Sequence, residues 1–156
     1  MVKSFVLLAL CGHVAAADPK PGSCEAVAKQ HAKSVKLAAY KPANCTPKGG
    51  DQAPHLITSE ADARPNLECK DPKAGLGIDF KKHSLVVTAR SASPAQVGTD
   101  VYDDGNVVTF VNRERSPCKG DPQPMPGPTT TVLYQLAAGP RTFANGSCTV
   151  ATTCAK

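Results

Sequence analysis

Six cysteines, Cys24, Cys45, Cys69, Cys118, Cys148 and Cys154, have the widest chemical range of any residues in this chain. As free thiolates they could hold zinc or attack a substrate; as pairs they could only staple the fold. Zinc sites draw on short C-x-x-C steps. Here the closest pair, Cys148 and Cys154, is six residues apart, and His31, His55 and His83 are scattered singly. No metal site is expected. An even set in an exported chain predicts three disulfides and no free thiol. The pairing cannot be read from spacing alone, although Cys148–Cys154 suits a local bridge and Cys24 a tie to something distant.

The first seventeen residues point to export. Lys3 is the single charge, Phe5 to Leu10 is apolar, and Val14-Ala15-Ala16-Ala17 supplies small residues before Asp18. That is the order of a secretory signal peptide, with cleavage expected after Ala17. Leu8-Ala9-Leu10-Cys11 has the outline of a lipoprotein box, but Leu10 is too bulky for the position before the cysteine. Cys11 is therefore discarded with the signal, which leaves the even six. Residues 18–156 are expected to form one secreted or periplasmic domain. No apolar run reaches the roughly 18–20 residues of a membrane-spanning helix.

Other constellations carry less chemistry. There is no G-x-S-x-G elbow, H-E-x-x-H, phosphate loop or dinucleotide glycine fingerprint. Neither a catalytic residue nor a cofactor is expected. Asp100-x-x-Asp103-Asp104-Gly105-Asn106 gathers carboxylates but lacks the spacing and distal Glu of a calcium loop. It reads as a solvated hairpin turn, with Asp103 as surface charge and Gly105 as the residue the turn needs. Lys29, Lys33, Lys36 and Lys41 form one basic group; Lys81, Lys82, Arg113 and Arg115 form another. With a net charge of only +5 and no aromatics among the lysines, they read as solvated faces, not as a nucleic-acid surface. Residues 117–128 contain five prolines. Stiff and tethered at Cys118, this stretch could present Pro124, Met125 and Pro126 to a protein partner. Asn44-Cys45-Thr46 and Asn145-Gly146-Ser147 match the glycosylation pattern, which would be accidental in a bacterial host.

The elements that must position these residues are short. Fourteen Pro and twelve Gly predict many turns and few long helices. Ser23 is a helix cap, and Val27, His31 and Val35 recur at helical spacing through Lys36, although Val35 to Tyr40 could instead begin a strand. Ser59-x-x-Asp62 starts a second helix that Pro65 cuts short. Strands are expected at residues 55–58, 84–90, 97–102, 106–113 and 130–136, with a last strand or hairpin within 141–153. Asp104-Gly105 between two of these runs predicts a type I′ hairpin. One of Tyr40, Phe80, Tyr102, Phe110, Tyr134 and Phe143 falls in nearly every expected element, as core anchors do. The fold class is α+β and β-rich: an antiparallel sheet of four or five strands, one or two short helices, stabilised by disulfides.

One resemblance follows from this order of elements. Gly77-Ile78-Asp79-Phe80-Lys81-Lys82-His83-Ser84-Leu85-Val86-Val87 leads into a Val-rich strand. After the hairpin, residues 107–117 close on Arg113-Glu114-Arg115-Ser116-Pro117. Residues 56–137 resemble the C-terminal domain of PrcB-like proteins, accessory components of bacterial surface protease complexes. The family's glycine-rich turn is replaced here by residues 91–98, and the cysteines lie outside its pattern. The resemblance implies a non-catalytic β-rich module that contacts another exported or cell-surface protein. Two other functions remain open at this level: a small secreted hydrolase, and a cationic module for anionic envelope polymers.

Overall fold

The computed structural model describes residue 20 and residues 22–49, 53–71, 73, 75–91, 95–120 and 127–154. The signal segment and Pro124, Met125 and Pro126 lie outside the described residues. In chain order the elements are α1 (Cys24–Gln30), β1 (Val35–Leu37), β2 (Ala39–Tyr40), β3 (Cys45–Pro47), β4 (His55–Ile57) and α2 (Glu60–Ala63). A 3₁₀ turn (Arg64–Asn66), β5 (Leu67–Cys69), β6 (His83–Ser91), β7 (Gln96–Asp103), β8 (Val107–Arg115), β9 (Thr129–Ala137) and β10 (Thr142–Val150) follow.

Both helices begin where the sequence places them. The Ser23 hydroxyl accepts the Ala26 N–H, and the Ser59 hydroxyl accepts the Asp62 N–H. Helix α1 stops at Gln30 and does not carry the lysines through Lys36. So short a helix has little stability of its own, and strand pairing takes Val35 to Leu37 instead. β1 joins β7 with Val35 opposite Asp103 and Leu37 opposite Val101.

The strands form two four-stranded sheets. The first has the order β1-β7-β8-β10 and the second β2-β9-β6-β4, while β3 and β5 make a separate pair. The chain steps from the first sheet to the second between β1 and β2. Pairing is antiparallel except for β8 and β10, which run parallel along all nine residues of β10. The β-rich α+β class with two short helices therefore holds, and each main sheet has four strands.

Burial on both faces explains the apolar run Leu85-Val86-Val87 of β6, which has a core on either side. Val86, Tyr134 and Leu136 of the second sheet meet Val101, Val108 and Phe110 of the first, forming the core between sheets. Phe110 and Tyr134 meet there edge to face, 6.3 Å apart. Leu85, Val87 and Leu133 point the other way, under a cap built from Cys45, Ala63, Leu67 and Leu76. On the far side of the first sheet, Tyr102, Val111 and Cys148 pack against Cys24 and Val27 of α1.

Disulfides fasten each of these outer layers. Cys24–Cys148 pins α1 to β10 across 124 residues, and Cys45–Cys69 joins directly opposed residues of β3 and β5. Cys118–Cys154 completes the set. All six cysteines are paired and Cys24 makes the expected distant tie. The local Cys148–Cys154 bridge does not form. Cys148 points to the buried face against α1, so its partner comes from the helix.

The turn after β7 differs from the expected type. Gly105 alone has positive φ, at 97°, whereas type I′ needs it at two successive residues. Asp104 N–H donates to the Val107 carbonyl, and the Asp104 carboxylate accepts from Asn106 and Val107 N–H at 2.8 and 2.7 Å. Asp103 is not surface charge. It is 7% exposed and takes a two-pronged bond from Arg141, at 2.8 and 3.2 Å, with Gly105 N–H as a third donor.

Candidate functional site

A cleft of about 930 Å³ opens where β2 leaves the second sheet. Three pieces of chain build its walls. Leu37, Ala39 and Tyr40 come from β1 and β2; the 41–47 stretch and β5 arch over; and Thr131 to Tyr134 of β9 form the floor. Arg90 of β6 and Thr99 of β7 close the inner side. The Cys45–Cys69 disulfide holds the arch together from below.

Some polar groups of this cleft lack partners among the described residues, whereas Thr46 donates to the Glu68 carbonyl and Thr99 to the Asn112 side chain. The Thr131 hydroxyl is buried with no hydrogen bond among the described residues. Arg90 forms no ion pair or side-chain hydrogen bond among the described residues, and neither Lys41 nor Lys70 forms an ion pair there. The one carboxylate on the lining belongs to Glu68. Tyr40 spends its hydroxyl on the Leu76 carbonyl, 3.3 Å away. Burial pushes the Tyr134 phenol above its ordinary value, and the positive charge of Arg90 acts against that shift. The Arg90 guanidinium is thus a donor beside a half-apolar space, with the Thr131 hydroxyl and Tyr134 buried in its wall. It can donate to carboxylate or carbonyl oxygens, and among the described lining residues no nucleophile stands beside a base.

The other candidate residues do not converge. His31 stacks on Tyr102 with ring centres 4.6 Å apart, and the His55 ring nitrogen sits 3.1 Å from the Ala53 carbonyl. His83 opens β6 opposite Ala137. Among the described residues no three His, Cys, Asp or Glu side chains cluster as metal ligands would. The turn carboxylates are divided between separate tasks. Asp100 meets Lys36 at 2.9 Å and Arg113 at 3.9 Å, Asp103 holds Arg141, and Asp104 closes its own turn. No helix among the described residues is long and apolar enough to cross a membrane.

Sequence reasoning named Lys41 only as one of a basic group, and it missed Arg90, Lys70, Thr131 and Tyr134 as a set. One signal was available. Period-two alternation from Val86 through Thr88 puts Arg90 on the core-facing side of β6, where a charge requires an explanation. No protein-family model, curated protein or solved structure matches the chain.

Proposed function

We propose that this chain is an exported, non-catalytic binding module that holds another exported or cell-surface protein through the cleft beside β9. The observation that carries the reading is the set of cations on the cleft, Arg90, Lys41 and Lys70, none with an ion pair among the described residues, between walls that a disulfide locks. A space of this size falls within the range of about 300–1,000 Å³ typical of ligand sites. Three disulfides suit an oxidising compartment, secreted or periplasmic. The PrcB-like resemblance of residues 56–137 supports an accessory role in the same direction. Pro124, Met125 and Pro126 form a second contact in this proposal, next to the Cys118 tether.

The test blocks the cleft without touching the core. Ala43 is exposed on the cleft lining, so Ala43→Trp fills the space from its rim. Affinity capture from the host's exported fraction should recover one discrete partner with the wild-type chain and lose it with the folded Ala43→Trp variant. Capture that survives the plug overturns the cleft as the contact site. Replacing Pro124-Met125-Pro126 with Gly-Ser-Gly should weaken the same capture, and unchanged capture removes that second contact.

A further inference from the structure

The cleft lies along a strand edge, and that placement limits what can fill it. β9 pairs with β6 through all nine of its residues, yet β2 covers only Leu133 and Tyr134. Continuing the ladder would require Lys41 and Pro42, and proline has no N–H to donate. The chain departs there. Residues 129–132 therefore face β6 on one side and, among the described residues, no strand on the other. At about 3.3 Å per residue, this leaves roughly 13 Å of open edge.

The lining also comes from both faces of β9. By alternation, Thr131 and Leu133 belong to the face under the β3–β5 arch, while Val132 and Tyr134 belong to the face toward the first sheet. A compact ligand lying on one face would meet one alternation only. An added strand puts successive side chains on both. The charge is one-sided: Lys41, Lys70 and Arg90 against Glu68, with no ion pair on any of the three cations among the described residues. Arg90 occupies the inner alternation, and its planar fork suits a carboxylate.

The geometry points to strand addition: an extended segment of the partner pairs with residues 129–132 of β9, in line with β2, and presents an acidic side chain to Arg90. This rests on the cleft being the partner site, and it names what the partner puts there. The main chain supplies affinity, and the inward-facing carboxylate supplies selection.

The experiment titrates ¹⁵N-labelled full domain with acetylated, amidated hexapeptides of alternating Thr and Glu, Thr and Gln, or Thr and Lys. A fourth and fifth peptide carry the Glu sequence N-methylated at alternate residues, in each of the two phases. The Glu peptide should shift the amides of residues 129–132 and bind at least about tenfold tighter than the Gln peptide. One methylation phase should abolish this and the other should spare it. Arg90→Gln should erase the Glu-over-Gln preference while the β9 shifts persist. Absent β9 shifts, or shifts indifferent to both methylated peptides, overturn strand addition. Equal binding of Glu and Gln peptides overturns the acidic preference. If all peptides are silent while Ala43→Trp still abolishes partner capture, the cleft stands as the partner site and the strand mode falls.

Discussion

Arg141 and Arg90 lie toward opposite ends of the same two-sheet stack, and the contrast between them separates structure from function. Arg141 is almost buried, at 6% side-chain exposure, and its fork grips Asp103, itself 8% exposed. Its second nitrogen also reaches the Ala137 carbonyl on the other sheet, at 3.5 Å. This end is closed: turn, ion pair and sheet ends satisfy one another. Arg90 is half-buried and has no carboxylate partner among the described residues. Under the proposed strand addition, this half-buried arginine is held for the partner's acidic side chain. The same residue type locks one end and leaves the other available.

The largest expected effect breaks the closed end. Asp103→Ala strands Arg141 in a site with little water, and removing one member of a buried pair typically costs about 3–5 kcal/mol. Urea denaturation should show a loss of that order, with most of it recovered when Arg141→Met is added. A single-variant loss below about 1 kcal/mol would mean the pair is not the lock described here.

Gly105→Val comes next. At φ 97° a β-branched side chain pays roughly 1–2 kcal/mol in local strain, although nothing within 4 Å would clash with it. Denaturation midpoints should therefore rank Asp103→Ala below Gly105→Val. Sequence reading alone gives the opposite order, because it treats Asp103 as solvated. If Gly105→Val proves the worse variant, the turn dominates this end and the ion pair is secondary.

These two residues also show what a sequence can reveal. The strands of the core were legible because alternation and β-branched runs are local signals, and Ser84 to Arg90 fell within β6. Both helix caps were legible for the same reason. Cysteine parity announced three bridges, but pairing is a long-range fact: Cys24 meets Cys148 only because α1 crosses the outer face of the first sheet. Asp103 looked like its exposed neighbour Asp104, since the Arg141 that buries it arrives from 38 residues away. The cleft was invisible for a further reason. It exists because β2 ends after two residues, and no local pattern says how far a neighbouring strand will pair.

At the open end the expected stability effect is small and the binding effect is large. Arg90→Ala removes no ion pair, so unfolding free energy should stay within about 0.5 kcal/mol of wild type. Calorimetry with the Thr-Glu hexapeptide should nevertheless lose most of its signal. A strongly destabilised Arg90→Ala would place this arginine in the structural class of Arg141 and remove the contrast between the two ends.

The smallest effect is confined to acid, and it sharpens the account of the closed end. Backbone N–H bonds from Val107 and Asn106 hold the Asp104 carboxyl below its ordinary value, and Arg141 adds to this through its charge. The group is depressed in the folded state, so the unfolded chain binds its proton first as pH falls. Its contribution is complete above the usual carboxylate range, near pH 3.9, and disappears as pH drops through the folded value. Asp104→Asn keeps an acceptor for the two N–H groups but loses the charge. Melting temperatures across pH 2–6 should show a wild-type advantage over Asp104→Asn at pH 6 that shrinks below about pH 4. Every other ionisable group is common to both proteins, so the difference isolates this turn. A gap that stays constant with pH would show that the hydrogen bonds of Asp104 hold the turn without its charge.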